Sequence, residues 1–134
     1  MGVIADIQIA LETRLSTTSG LPSDVAYQNT GYEPTIGTEW VRPTLLRAPA
    51  SMAEINDVQA FPGVFQIDVM VPTDAGSQRL NVLLDAIYDH FKADRDLVEG
   101  STTVLIDEIN ILPSLRDGAF YMGSIEVNYI CYSS

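Results

Sequence analysis

Apolar residues at helical spacing predict two amphipathic helices along this chain. The first is predicted over residues 3 to 17 and the second over about 75 to 92. Thr73 or Asp74 is the predicted N-cap of the second helix, because either side chain can accept a hydrogen bond from a free backbone N–H. The apolar faces consist of Ile4, Ile7, Leu11 and Leu15 in the first helix and Leu80, Leu83, Leu84, Ile87 and Phe91 in the second. Each helix is therefore expected to bury one side.

Three other segments alternate apolar and polar residues, as strands with one buried face do. They are residues 63 to 72, 102 to 112 and 119 to 132, and the last two are joined by a turn predicted in "PSLRDG". The residues expected on buried strand faces are Phe65, Ile67, Val69, Val71, Ile125, Val127, Tyr129 and Cys131. The pattern predicts half-buried, antiparallel strands.

The segment between the first helix and these strands is irregular. A short strand is predicted at residues 25 to 29 and an extended one at 39 to 47, where Pro43 favours an edge position or a bulge. Residues 48 to 60 form a connection of uncommon length, which predicts a function or partial structure for it.

The predicted order is helix, three strands, helix, two strands. Because the strands come in hairpin-like groups, the order predicts an α+β fold with an antiparallel or mixed sheet of about five strands and both helices on one face. The 134 residues suffice for one domain, residues 1–134, with a core that needs no metal or disulfide.

Net charge limits the kinds of partner that are expected, and cysteine content indicates the compartment. With 7 basic against 18 acidic residues and a net charge of −11, ordinary binding to a phosphate backbone is disfavoured. Cys131 is the only cysteine, which excludes an intrachain disulfide and fits a reducing compartment such as cytoplasm. We expect neither a signal peptide nor a membrane helix, because charged residues interrupt the apolar runs.

Residues with catalytic chemistry are sparse. His90 is the only histidine and no serine lies in a GxSxG pattern, so nucleophilic catalysis is not expected. Four acids, Asp85, Asp89, Asp94 and Asp96, could in principle hold a divalent cation, but beside Lys92 and Arg95 they are more typical of a solvated helix face. Asp107 and Glu108 point to opposite strand faces. The sequence predicts no enzyme, no cofactor and no metal site, with a small metal-dependent enzyme as the alternative.

The stretch "GYEPTIGTEWVRPTLLRAP", residues 31 to 49, has a different composition. It holds three prolines and the only tryptophan, Trp40, with Arg42 and Arg47 nearby. Tryptophan and arginine are enriched in protein contacts, so this stretch is a predicted contact surface.

Several segments, in order, resemble the tail terminator proteins of long-tailed bacteriophages. They are "IALETRL", "YQNTGYEPTIGTEWVRPTLL", "GVFQIDVMVPTDAG", "LLDAIYDHF" and "GSIEVNYICY". The most specific part is N-x-G-Y-x-P followed by W-x-R-P and then G-x-F-Q-I-D-V. The resemblance covers nearly the whole chain.

This resemblance implies a structural subunit that forms a ring with copies of itself, usually a hexamer. Such a ring caps the finished tail tube, stops tube polymerisation and docks to the neck of the filled head. The expected partners are therefore the tail tube protein and a head completion or neck protein, and the expected location is the head-proximal end of the virion tail after assembly in the host cytoplasm. A head–tail joining protein of the same region is the alternative. The candidate contact residues are Trp40, Arg42, Arg47, Phe61 and Arg79.

Charge constrains any such ring. Six copies at −11 each would carry about −66, so the contacts between subunits should be apolar or contain well-placed arginines. Carboxylates around the lumen would let DNA pass without specific binding, because like charges repel within about 8 to 10 Å.

Overall fold

The structure is a computed structural model that describes residues 2–52, 58–74 and 76–133. Two helices and seven strands lie in these ranges. In chain order they are α1 (Val3–Ser16), β1 (Trp40–Arg47), β2 (Ser51–Met52), β3 (Gln59–Pro72), α2 (Gln78–Ala93), β4 (Asp96–Glu99), β5 (Thr102–Ile111), β6 (Leu115–Asp117) and β7 (Phe120–Ser133).

The strands form one antiparallel sheet in the order β1-β3-β7-β5-β4, with β2 paired to β3 and β6 paired to β7. The long strands β3 and β7 pair along their whole length, from Gln59 opposite Ser133 to Pro72 opposite Phe120. The α+β class and the antiparallel sheet predicted from the sequence are confirmed. Pro43 is also explained, since β1 is an edge strand whose one strand partner is β3.

Both helices pack on one face of the sheet, which we call the inner face. The predicted apolar ladder of α2 is fully buried there, against the alternate residues of β3 and β7 that the sequence placed on a buried face. Phe65 of β3 meets Phe91 of α2 with ring centroids 6.3 Å apart. Burial of this apolar surface is the main driving force for the fold.

Helix α1 connects the two edges of the curled sheet. On one flank, the buried Asp6 accepts a 2.8 Å hydrogen bond from the Thr102 hydroxyl at the start of β5. On the other flank, Gln8 accepts a long bond of 3.4 Å from Arg47 at the end of β1. The helix therefore spans the inner face from one side of the sheet to the other.

Four local predictions were wrong. Ile4 does not belong to the buried face of α1, because its side chain is 54% exposed. Residues 25 to 29 are not a strand, because Val25 makes only an isolated parallel bridge to Val41. The cap of α2 is Ser77 rather than Thr73 or Asp74, since Asp74 adopts a left-handed backbone with φ of 67° before the helix begins. Only the last part of "PSLRDG" is a turn, because β6 pairs with β7 before it.

Three short strands, β2, β4 and β6, were not predicted. Strand β4 follows α2 directly and pairs with β5, and β6 lies in the expected turn. The long connection at 48 to 60 is partly structured, with β2 and the first residues of β3, while residues 53 to 57 lie outside the described residues. Neither described helix is long and apolar enough to cross a membrane.

Candidate functional site

The five residues predicted as contacts lie at the two ends of β1. Trp40 and Arg42 lie at its start, and Arg79 of α2 joins them there through Glu39. Arg47 ends the strand, and Phe61 lies near the start of β3, two residues before Gly63, the partner of Arg47. The structure thus separates the predicted set into two groups.

Trp40 packs inside its own chain. It is only 6% exposed and forms a small cluster with Met70 and Phe120 on the face opposite the helices, which we call the outer face. Its ring lies 5.5 Å from Tyr32 and meets Phe120 edge-on at 5.7 Å. The tryptophan therefore fixes the loop before β1 to the sheet. Its buried indole N–H has no hydrogen-bond partner among the residues that the structure describes.

Arg42 is held by a buried carboxylate that sequence reasoning missed. Asp68, whose side chain is 5% exposed, pairs with Arg42 across β1 and β3, with an Nη2 to Oδ2 distance of 2.9 Å. Its other oxygen accepts hydrogen bonds from the Ser124 hydroxyl at 2.6 Å and from Gln66 at 2.9 Å. A buried carboxylate needs such partners. The Arg42 side chain stays 42% exposed, so the network orients a cation at the surface.

Arg79 forms a two-pronged ion pair with Glu39. Its Nε and Nη2 donate to the two carboxylate oxygens at 2.6 and 2.9 Å. The hydrogen bond to Glu39 raises the pKa of Arg79 above its already high value. This pair joins the first turn of α2 to the residue before β1, and both side chains remain partly exposed.

At the other end of β1, Arg47 is exposed and Phe61 packs partly against the core. Gly63 lies opposite Arg47, and a Cβ there would lie 2.7 Å from Tyr129 Cζ and 2.8 Å from the Leu46 carbonyl oxygen. The glycine is therefore required by close packing rather than by its backbone angle.

Much of both edges of the sheet is protected against strand addition. On β1, Val41 exchanges backbone bonds with Asp24 and Ala26, Pro43 has no N–H, and the Leu45 N–H donates to the Gln28 side chain. The other edge, β4, is four residues long and carries Asp96 and Glu99. Covered, short and charged edges are the usual means by which sheets avoid edge pairing. Contacts with other proteins would therefore use side chains on the faces.

His90 joins the two helices. The Thr17 hydroxyl donates its proton to the Arg14 carbonyl at 2.9 Å, so it accepts from His90 Nε2 at 2.8 Å. Burial lowers the pKa of His90, and the nearby charge of Arg14 lowers it further. Within the described ranges, no group of three or more His, Cys, Asp or Glu side chains is placed to hold a metal ion. Burial raises the pKa of the Cys131 thiol.

Comparisons with known proteins point to the same family that the sequence resembles. A family model described as phage tail terminator protein matches residues 6–129. No curated protein matches the chain. One solved structure, of a protein whose name states no function, superposes with a TM-score of 0.76 at 24% identity, over 98% of this chain and 96% of the other. At that identity the likeness concerns the fold.

Proposed function

This chain belongs to the phage tail terminator family, a family of structural proteins of the virion tail, and we propose that it forms a ring that caps the tail tube. In this role it stops polymerisation of tube subunits and offers the surface to which the head or neck docks. We place it at the head-proximal end of the tail, after assembly in the host cytoplasm. The family match over residues 6–129 is the observation that carries this proposal.

The physical properties of the chain support a ring of identical subunits, for which six copies is our working number. Much of both edges of the sheet is protected, which favours contacts through side chains over continuous sheet pairing. The outer face carries no helix, so part of it is available to other chains. Within a closed ring, each subunit would contact two neighbours.

Five residues are proposed as contact residues for neighbouring subunits or for the tube. Arg42, Arg47 and Arg79 are partly exposed cations on a strongly acidic protein, so each can pair with an acidic group of another chain. Phe61 adds apolar surface near Arg47. Trp40 contributes indirectly, because it holds the loop that borders Arg42.

The lumen of the ring is proposed to be acidic. The chain carries 18 acidic residues, and acids around the passage would repel DNA and let it move without specific binding. Neutralising acids found to face the lumen should slow DNA ejection. Unchanged ejection would contradict this part of the proposal.

Tail assembly with and without this protein tests the main proposal. Electron microscopy should show tubes of uniform length in its presence and overlong tubes in its absence. Light scattering or native mass spectrometry should show a ring, either in solution or on tube ends. Uncontrolled length with a protein that stays monomeric would contradict the proposal. Binding to a purified head connector but not to tubes would favour the head–tail joining alternative.

A further inference from the structure

An apolar patch lies uncovered at one end of the outer face. Leu46 pairs with Val64 across β1 and β3, and Pro62 and Leu105 flank Ile130 across β3, β7 and β5. We call these five residues the outer patch. Leu46 is 49% exposed and the other four are half-buried. Both helices lie on the inner face, so neither covers the patch.

The outer patch includes a depression with acidic surroundings. A cavity of about 330 Å³ opens beside Gly63, and Pro62, Val64 and Ile130 form its apolar lining. Asp107 borders it because the pairing of β5 with β7 shifts between Ile106 and Ile109. The exposed Glu108 follows Asp107. A ligand for this depression should therefore combine an apolar side chain with a cation.

The hairpin of β6 carries an exposed apolar residue and an exposed cation on opposite faces of the strand, since Leu115 pairs with Met122 and Arg116 with Tyr121. Leu115 is 50% exposed, and Arg116 beside it is exposed as well. Arg116 forms no hydrogen bond or ion pair with any described residue, although Asp74 borders the same surface hollow. The other six cations each contact a group of their own chain: Arg14, Arg42, Arg47, Arg79, Lys92 and Arg95. Arg116 is thus the cation left for a partner.

The hairpin and the outer patch lie at opposite ends of the long strands. Leu115 pairs with Met122, which pairs with Met70 of β3, whereas the depression is centred on Gly63. From Gly63 to Met70 the strand rises roughly 23 Å, at about 3.3 Å per residue. The hairpin therefore cannot reach the depression of its own chain. Two complementary surfaces at opposite ends of one subunit generate head-to-tail contacts, which form a ring when the rotation between copies closes.

We infer that the β6 hairpin of one copy docks into the outer patch of the next copy. Arg116 pairs with Asp107 at the border of the depression, while Leu115, on the opposite face of β6, adds apolar contact outside the depression. This inference rests on the proposed ring and names the surfaces that join its subunits. A two-fold contact between two outer patches is disfavoured, because it would bring Asp107 and Glu108 of both copies together.

Charge exchange tests the docking. Arg116→Glu and Asp107→Arg should each weaken ring formation roughly tenfold or more, since each places like charges in the contact. An equimolar mixture of the two variants should form rings again, because alternating copies restore opposite charges at every contact. The double variant should also assemble. Sedimentation or native mass spectrometry over a concentration series gives the assembly midpoints.

Matched controls carry the same charge changes elsewhere. Lys92→Glu and Asp89→Arg alter exposed residues of α2, and both should assemble like the wild type. Thermal unfolding of the four single variants should be similar, which separates assembly from folding.

The possible failures are distinguishable. If the wild type forms rings and Arg116→Glu and Asp107→Arg do so equally well, the docking inference is wrong while the ring proposal stands. If Asp107→Arg forms normal rings but no longer caps tubes, the patch binds the tube protein and the inference is again wrong. If the wild type itself forms no ring, in solution or on tubes, the proposed function fails.

Discussion

The inner and outer faces of this sheet are built on different principles. The inner face is a continuous apolar layer, where residues from β3 and β7 pack against α1 and α2. The outer face combines a small aromatic cluster around Trp40, a polar network around Asp68 and the uncovered outer patch. The inner face accounts for folding, and the outer face is the one that we propose for association. Variants of neighbouring residues on β3 can separate these two contributions.

The largest effect is expected from opening the inner face. Phe65→Ala removes a ring that is 1% exposed and packs on Phe91, which should lower the free energy of unfolding by about 3–5 kcal/mol. Val64→Ala, the neighbour on the outer face, should cost less than about 1 kcal/mol because Val64 is half-buried. Chemical denaturation of both variants measures the difference. Equal losses would show that the outer face is as tightly packed as the inner one.

This difference also explains what the sequence could and could not predict. Alternation along β3 and the helical spacing in α2 directly reflect a buried inner face, so Phe65 and Phe91 were predicted correctly. The outer features depend on strand register, which joins residues far apart in sequence. Asp68 meets Ser124 only because β3 pairs with β7, and Pro62 meets Ile130 for the same reason.

Two wrong local predictions also depend on tertiary contacts or backbone angles that the local sequence pattern does not show. Val25 reads as part of a strand, but its segment serves as a cover for the β1 edge, with the Gln28 side chain replacing a backbone partner. Ser77 occupies the N-cap position of α2 without a side-chain capping hydrogen bond, and Asp74 and Gly76 before it take left-handed backbone angles that the sequence pattern does not reveal. Trp40 was predicted as a contact residue, and its packing against Phe120 within the chain depends on tertiary structure that the sequence pattern does not show.

The next largest effect is expected at Gly63 of β3, the neighbour of Val64. Gly63→Ala would force a Cβ against Tyr129 Cζ at 2.7 Å and the Leu46 carbonyl oxygen at 2.8 Å, so we expect a loss of about 1–3 kcal/mol. Gly31→Ala is the matched control, since nothing lies within 4 Å of its added Cβ. A fully stable Gly63→Ala protein would mean that Tyr129 and the strand move aside easily.

A smaller loss is expected from the polar network of the outer face. Asp68→Ala removes the partner of Arg42 and of the Ser124 hydroxyl. The free energy of unfolding should fall by about 2 kcal/mol and not more, because Arg42 is partly exposed and water screens its ion pair. Gln66→Ala removes one bond to the same carboxylate and should cost less. Urea unfolding at neutral pH measures both. If Asp68→Ala is as stable as the wild type, the network serves only to orient Arg42, and assembly should then be the property that changes.

The smallest effect concerns His90, which lies between the helices rather than on the outer face. Its pKa is lowered in the folded protein, chiefly by burial, so folding favours the neutral imidazole. The stability that depends on this neutral form is present above the ordinary pKa of 6.5 and is lost as the pH falls through the lower, folded-state value. Between pH 7.5 and 5, the wild type should therefore lose slightly more stability than His90→Gln, by less than about 1 kcal/mol because the ring is largely solvated. Melting temperatures of the two proteins across this range give the difference.

Ring formation at fixed salt should differ little between the wild type and His90→Gln, because His90 bonds to Thr17 of α1 and not to the outer patch. A pH effect on assembly that disappears in His90→Gln would show instead that the helix layer takes part in the contact between subunits.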